Sequence, residues 1–413
     1  MEFDIFFSIS QTPDTSGFKP SESEMFANFF DQVTLADELG FGVGWVAQAH
    51  LSTEVQKENK NPVVPHYPGE VGLCTDFFQV AREMFSRTKR MEVGSAVMSI
   101  LASGGPIAQA ERVGSFLALH GMDPREERKL HIGFSAGRFE FMARPYGIVP
   151  RDSVEEAAWP ALRGQIFSEA SEIFLRLLNG EVVSSESIPP TNLTRSNFRT
   201  DEDWDRVQRA AVRQHGLESP PESIEIGNRY VFEEIKTIPQ DWRRDLLNLV
   251  IGSHDPSLQE KVNRFRAVQV FNLSITPPHV IEETHERMKR SYHKDGGPWT
   301  RRMMPRTVMV FVNDEEGLTR EQQDEAAMEE ARSALSTYWS ALEGTIDPSK
   351  IDRATDNAVI GSAQSVSEQI SQRFNPEDRL MCWFDFFNHD SERVMRDMTA
   401  FMTKVAPGVN GGL

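Results

Sequence analysis

The sequence predicts an α/β protein of the (β/α)8-barrel type, and three observations carry that expectation. Short apolar runs alternate with longer amphipathic ones along the chain. Eight such strand–helix pairs follow one another in order. Polar and potentially reactive residues gather just after the apolar runs. Alternation of this kind gives parallel strands with helical crossovers, and eight units suffice to close a barrel; a doubly wound sheet is the competing architecture.

Each element has its own signal. EFDIFFSIS (2–10) predicts the first strand and residues 21–40 the first helix, opened by a Ser21/Glu24 capping box and closed by Gly40. A strand at 44–48 (GWVAQ) runs into a polar, proline-bearing loop at 53–70 and a helix near 72–88. The third unit pairs strand 91–101 with helix 106–121, and the fourth pairs strand 129–135 with a helix near 153–179. Residues 181–246, rich in Ser, Thr, Pro, Asn and charge, interrupt the rhythm. They read as a loop insertion with some local structure inside a single domain spanning 1–413, and loops of such length are commonly lids. Strands at 246–251, 268–275, 303–312 and 378–386 then alternate with helices at 256–265, 277–293, about 318–343 and 391–405, with a short helix at 364–374 before the last strand.

Composition excludes several classes of partner. The 413 residues carry 44 basic and 62 acidic side chains, a net charge of −18, which repels phosphate backbones and anionic lipid. Nucleic acid and membrane surfaces are therefore not expected partners. No basic segment precedes the first apolar run and no 18-residue apolar stretch occurs, so neither a signal peptide nor a membrane helix is expected. Cys74 and Cys382 lie far apart in apolar surroundings, which argues for a reducing, cytoplasmic setting rather than a disulfide framework. The ten histidines form no HxxxH or HExxH pattern, so no metal site is expected.

Four stretches invite chemistry. FGVGW (41–45) carries glycines, but a helix precedes it and a strand follows, the reverse of a dinucleotide loop; it reads as a turn. VIGSHDPS (250–257) has the right order, a strand, then Gly252–Ser253, then Pro256 opening a helix. Backbone N–H groups there, with Ser253 and Ser257, suit a phosphate, and the competing reading is an ordinary helix cap by Asp255. In KLHIGFSAGRFEF (129–141), Gly133 and Gly137 flank Ser135, and Arg138 follows. That arginine suits bidentate phosphate binding, with a surface ion pair to Glu140 or Asp152 as the alternative. GFSAG (133–137) also matches a nucleophile elbow letter for letter, but Asp385 and His389 are too close together to supply the later acid and histidine, so a hydrolase is a minor reading.

The order of pieces resembles the bacterial luciferase-like flavin-dependent monooxygenases. The likeness rests on LADELGFGVGWVAQAHLS (35–52), VGSAVMSILASGGPIAQAERVGSFLAL (93–119), KLHIGFSAGRFEFMARPYGI, VIGSHDPS and NAVIGSAQSVSEQISQRF, and spans most of the chain except about 181–230. It implies a TIM barrel that binds reduced FMN, takes O2 and a small hydrophobic organic substrate such as an aldehyde or ketone, and receives its flavin from a separate reductase. The alternatives it leaves are an oxidoreductase dependent on the deazaflavin F420 and a non-catalytic flavin-binding protein. By position, His50 falls on the second histidine of the family's pair, as the expected catalytic residue, and Ala49 replaces the first. Gly252, Ser253 and Ser257 fall on its phosphate contacts. Ser135, Gly137 and Arg138 form the fourth-strand loop, where the family's usual arginine is Ala136 here. The family's non-proline cis peptide falls at Ala96–Val97, placing both residues at the cofactor. The resemblance also implies a homodimer formed through barrel helices, and a dry chamber built from Phe6, Val97, Met98, Phe134, Phe271, Trp383 and the long insertion.

Overall fold

The computed structural model describes residues 1–14, 16–344 and 346–411. Eleven strands occur in this order: β1 (Glu2–Phe7), β2 (Val43–Val46), β3 (Glu92–Ser99), β4 (Leu130–Ser135), β5 (Thr191–Leu193), β6 (Ile224–Ile226), β7 (Leu247–Ile251), β8 (Gln269–Val270), β9 (Arg306–Asn313), β10 (Val359–Ser362) and β11 (Arg379–Trp383). Nine of them form one sheet in the order β10-β9-β11-β1-β2-β3-β4-β7-β8. Its two ends meet beyond β8, where Asn272 bridges in parallel to Arg306. The Asn272 N–H donates to Pro305 O at 2.9 Å and the Thr307 N–H to Asn272 O at 3.0 Å. The cycle β1-β2-β3-β4-β7-β8-β9-β11 is thus the expected eight-stranded barrel.

Its strands are short and β-rich because both faces are buried, one under helices and one in the lumen. Side chains alternate accordingly. Phe3, Ile5 and Phe7 of β1 join the outer core beneath the helices, whereas Phe6 packs inward with Trp45, Ala96, Val250, Phe271 and Met381. The first helix, Glu22–Leu39, has the expected Ser21/Glu24 capping box and a left-handed Gly40 at its end.

The N-terminal end of the lumen is plugged by charge. Asp4 is fully buried, pairs with Arg379 at 2.8 Å, and accepts hydrogen bonds from the Trp45 indole at 2.8 Å and the Val43 N–H at 3.0 Å. Beside it Glu92 lies 2.6 Å from His131. This end carries fold stability and leaves the opposite end for function.

β10 is the strand that sequence reasoning missed. It extends the second half of β9, pairing Val359 with Val310 through Ser362 with Asn313. Its outer edge is capped by side chains: the Gln369 amide accepts from Ile360 N–H at 3.1 Å and donates to Ile360 O at 2.6 Å. A covered edge of this kind resists pairing with another chain.

The insertion contains the β5–β6 antiparallel pair and an amphipathic helix, Asp201–His215, whose buried face is Trp204, Val207, Ala210 and Ala211. It docks on the outer helices. Glu169 of helix Ser153–Leu178 accepts the N–H groups of Tyr230 (2.9 Å) and Arg229 (3.0 Å), and Arg229 pairs with Glu155 at 2.7 Å. The Tyr230 ring lies against Gly105, where an added Cβ would stand 3.1 Å from it. The expectation that this segment covers the chamber is therefore corrected: its apolar face is spent on the outer helices. Among the described residues no helix is long and apolar enough to cross a membrane.

Candidate active site at the barrel mouth

The C-terminal end of the lumen is asymmetric. On the side of β2 to β7 the lumen-facing positions are small: Ala47, Ala96, Gly133, Ser135 and Gly252. Opposite them stands an aromatic wall, with Phe6 and Trp383 centroids 4.6 Å apart and Trp383 and Phe386 4.7 Å apart. Above lies an apolar cover. Ala49 packs in one cluster with Val64 and Tyr67 from the loop after β2, Phe141 and Met142 from the loop after β4, and Ala341 from helix Arg320–Glu343, flanked by Phe139 and Phe387. The residue standing at the family's first-histidine position is thus part of the cover.

Val97 is one of five non-glycine residues with positive φ among the described residues. The register between β3 and β4 slips between Ser95 and Met98, and Val97 has φ 59°, a left-handed conformation that a β-branched residue rarely adopts. The bulge turns both Ala96 and Val97 toward the lumen cluster, where simple alternation would turn only one. The surroundings hold it there. Ser135 Oγ donates to Val97 O at 2.9 Å and accepts from Gly137 N–H at 3.1 Å. Two neighbouring glycines leave space for it: a Cβ on Gly133 would sit 2.3 Å from Ser95 O, and one on Gly252 2.7 Å from Val97 Cγ1. The cis peptide expected at Ala96–Val97 is absent, since the one cis bond among the described residues is Ile238–Pro239. A bulge with a left-handed valine supplies the local turn of the chain in its place.

Of the six apolar strand ends expected to line the chamber, Phe6, Val97, Phe271 and Trp383 face the lumen. Met98 and Phe134 do not; they lie in the outer core, with Phe134 5.4 Å from Phe174 of helix Ser153–Leu178. Strand alternation is the reason, because each sits one residue away from a lumen position.

His50 lies at the rim, nearly buried, with Ser103 Oγ 3.2 Å from Nδ1 and 3.3 Å from Nε2. Burial holds its imidazole below the ordinary value, helped by Arg112 and opposed by Asp76. It therefore sits toward helix Gly105–His120, while Ala47 and Ala49 take the inward positions.

The two phosphate candidates differ. At VIGSHDPS the Asp255 carboxylate itself accepts the Ser257 N–H (2.9 Å) and hydroxyl (2.7 Å), while Ser253 Oγ accepts the Asp255 N–H at 3.2 Å. The carboxylate occupies the start of a seven-residue helix, Pro256–Val262, where an anion would otherwise go. Arg138 is exposed and donates to the Tyr338 hydroxyl at 3.1 Å. Its suggested ion-pair partners are engaged elsewhere, Glu140 with Arg163 at 2.6 Å and Asp152 as the cap of helix Ser153–Leu178.

Sequence reasoning weighed Asp385 only as a triad acid and set it aside. It follows Met381 and Trp383 at the end of β11, and its Oδ2 accepts the Ser8 N–H at 3.3 Å and the Ser8 hydroxyl at 3.2 Å. Oδ1 and the Trp383 indole nitrogen are both buried, and the indole stands as a donor beside the carboxylate. Burial pushes the Asp385 carboxyl up, against the Ser8 donors, the neighbouring Trp383 indole and His389.

No protein-family model matches the chain, and no curated protein is similar to it. Solved structures are. The monooxygenase RslO1 from Streptomyces bottropensis shares 16% identity over 98% of this chain and 99% of its own, with a TM-score of 0.62. The oxygenating constituent of 3,6-diketocamphane monooxygenase from Pseudomonas putida, a type II Baeyer–Villiger enzyme solved with FMN, shares 13% over 99% of each chain, with a TM-score of 0.59. An F420-dependent secondary alcohol dehydrogenase holding an F420–acetone adduct shares 13% over 99% of this chain and 98% of its own, at 0.53. The architecture these likenesses define is an α/β barrel, holding FMN in the second and an F420 adduct in the third. The present chain shares that α/β-barrel fold from end to end.

Proposed function

We propose that the protein is an oxidoreductase of the luciferase-like type, a monooxygenase using reduced FMN and O2 on a small, hydrophobic organic substrate. The observation that carries this reading is the mouth itself: a floor of small residues around a strained Val97, an aromatic wall, and an apolar cover. Gly133 and Gly252 let the Val97 bulge seat closely on the floor, and a flat tricyclic ring would lie on the surface so formed, against the aromatic wall. When bound, reduced FMN would supply the electrons with which O2 is activated. The chain's own part is to hold the ring on the Ala96–Val97 bulge braced by Ser135 and Gly137, and to keep water out beneath Tyr67, Phe141 and Phe387.

Arg138 is the residue we assign to the phosphate, since among the described residues its contacts are the neutral Tyr338 hydroxyl and the Phe139 ring and its fork suits a dianion. Gly252, Ser253 and Ser257 would add N–H and hydroxyl donors only if the Asp255 cap yields. His50 would act from the rim, through Ser103, on the segments that hold the substrate. A separate reductase as flavin donor and a homodimer complete the reading, with the cytoplasm as its compartment.

F420 in place of FMN is the second reading, favoured by the same fold holding an F420–acetone adduct. Anaerobic titration with reduced FMN and with reduced F420, followed by absorbance, separates them. Tight FMN binding supports the proposal, tighter F420 binding transfers it to a hydride-transferring oxidoreductase, and binding of neither overturns both. The Arg138→Gln variant should lose about tenfold or more in FMN affinity while binding riboflavin unchanged, as expected for one charge-assisted phosphate contact.

A further inference from the structure

We propose an anion site remote from the mouth: Arg244 and Arg266 together take one small tetrahedral oxyanion, a phosphate ion or phosphate monoester, at the base of the insertion. Each stands three residues before its strand, Arg244 before β7 and Arg266 before β8, and so at the end of the barrel opposite the mouth. Both guanidinium groups lie over one indole, that of Trp242, at 4.4 and 6.0 Å from the ring centroid. The insertion is tied off in the same place. Asn179 caps helix Ser153–Leu178 just before the insertion begins, and its Oδ1 accepts from Arg266 at 3.4 Å. Trp242, near the insertion's end, packs on helix Gly105–His120, where a Cβ on Gly114 would stand 3.5 Å from the indole nitrogen.

What these two side chains have to spare is donors. A guanidinium carries five N–H groups. Among the described residues Arg244 uses two, on the Gln240 carbonyl (3.0 Å) and side-chain amide oxygen (3.3 Å), and Arg266 uses one, on Asn179. Stacking on an indole face consumes none, because the donors lie in the guanidinium plane. The carboxylates next in line are committed: Asp245 to Arg243 at 2.6 Å, Glu181 to Arg176 at 2.9 Å, and Glu172 to Arg176 and Lys261. The last carbonyls of helix Ser153–Leu178 are taken by the N–H groups of Asn179, Gly180 and Glu181. Charge points the same way. Burial and the neighbouring Arg244 hold Arg266 below the ordinary arginine value, opposed by Asp295 at longer range, so an anion between the two relieves a repulsion as it fills the donors. Arg306 and Arg373 share Phe374 in a similar way, but each is held by two main-chain carbonyls. A phosphate group has oxygens enough for two forks, whereas a carboxylate fills one.

The test is calorimetry and thermal unfolding with inorganic phosphate against sodium chloride at equal ionic strength. The full chain carrying Arg138→Gln serves as parent, so that the mouth takes no part. Phosphate should bind at one ion per chain and raise the unfolding midpoint beyond chloride, since a ligand of the folded state stabilises it. On that parent, Arg244→Gln and Arg266→Gln should each weaken phosphate about tenfold, the worth of one charge-assisted hydrogen bond. Arg243→Gln removes an equal charge next door, from the pair with Asp245, and should leave phosphate binding as it is. An unchanged response to chloride in every variant separates a lost site from a lost fold. Phosphate no better than chloride overturns the proposal, and so does an equal loss in Arg243→Gln. A phosphate effect that persists in the Arg244→Gln/Arg266→Gln double variant is general exclusion from the surface and overturns it too. Glycerol 3-phosphate then distinguishes the source: tighter binding than inorganic phosphate identifies the phosphate end of a larger molecule, and weaker binding identifies the free ion.

Discussion

At the residue scale, the mouth depends on positions where one atom decides the outcome. A methyl group added at Gly133 would meet Ser95 O at 2.3 Å, which is backbone and cannot step aside. Gly133→Ala should therefore destabilise the protein by about 2–4 kcal/mol, the range of a core overpacked against a strained segment. Urea denaturation checks this, and a variant as stable as the parent would show that the bulge is not rigid. Ser135→Ala should cost about 1–2 kcal/mol through the lost bond to Val97 O, with weaker flavin binding alongside. His50 gives a pH signature. Its folded value lies below the ordinary 6.5 because burial disfavours the imidazolium. The unfolded chain then binds the proton first, so this contribution is complete above about pH 6.5 and declines as the pH falls toward the folded value. His50→Asn should flatten the stability profile in that window. These residues were unequally legible. Ser135, Arg138 and Gly252 could be singled out as polar or flexible positions at strand ends. The inward place of Val97 came from the resemblance alone, because a bulge leaves no mark in an alternation pattern. Asp385 was read only as a failed triad member, since nothing in the sequence shows that its carboxyl lacks a cation.

At the element scale, long-period patterns translated well and short ones poorly. Seven barrel strands stand where the apolar runs placed them, because those runs are buried on both faces; the eighth, expected at 268–275, is only Gln269–Val270, and Leu273 and Ile275 beyond it are exposed. For β10 the sequence predicts no strand, although the stretch NAVIGSAQSVSEQISQRF that contains it carries part of the resemblance. With four residues and an edge satisfied by the Gln369 side chain, it has little strand character of its own. The helix Asp201–His215 was hidden inside a polar stretch; its buried stripe of Trp204, Val207, Ala210 and Ala211 is the signal that a periodicity scan of the insertion would have found. The strands also divide labour along their length. The N-terminal plug pairs Arg379 of β11 with Asp4 of β1 in the lumen. Removing one partner of a buried pair leaves the other charge stranded, so Arg379→Met should cost about 3–5 kcal/mol. Thermal unfolding tests this, and the double variant Asp4→Leu/Arg379→Met should recover much of the loss. Flavin affinity of the folded fraction should stay unchanged, because the plug lies at the opposite end of the barrel from the mouth.

At the scale of the whole molecule, the net charge of −18 acts on stability and binding in opposite ways. Like charges spread over one surface repel in the folded state more than in the expanded unfolded one, and salt screens that repulsion over roughly 10 Å at 0.1 M. The thermal midpoint should therefore rise between low ionic strength and about 0.15 M NaCl. A phosphate-bearing cofactor approaching this surface meets the same negative field, yet must finish beside Arg138. Screening the long-range field favours association, whereas screening the short-range contact weakens the bound state. Stopped-flow mixing with FMN should accordingly show an association rate that rises with salt and a dissociation rate that rises as well. In Arg138→Gln the first trend should persist and the second should fade. A wild-type association rate that instead falls with salt would mean that a local positive field guides the cofactor in, and would direct attention to cations other than Arg138 around the mouth.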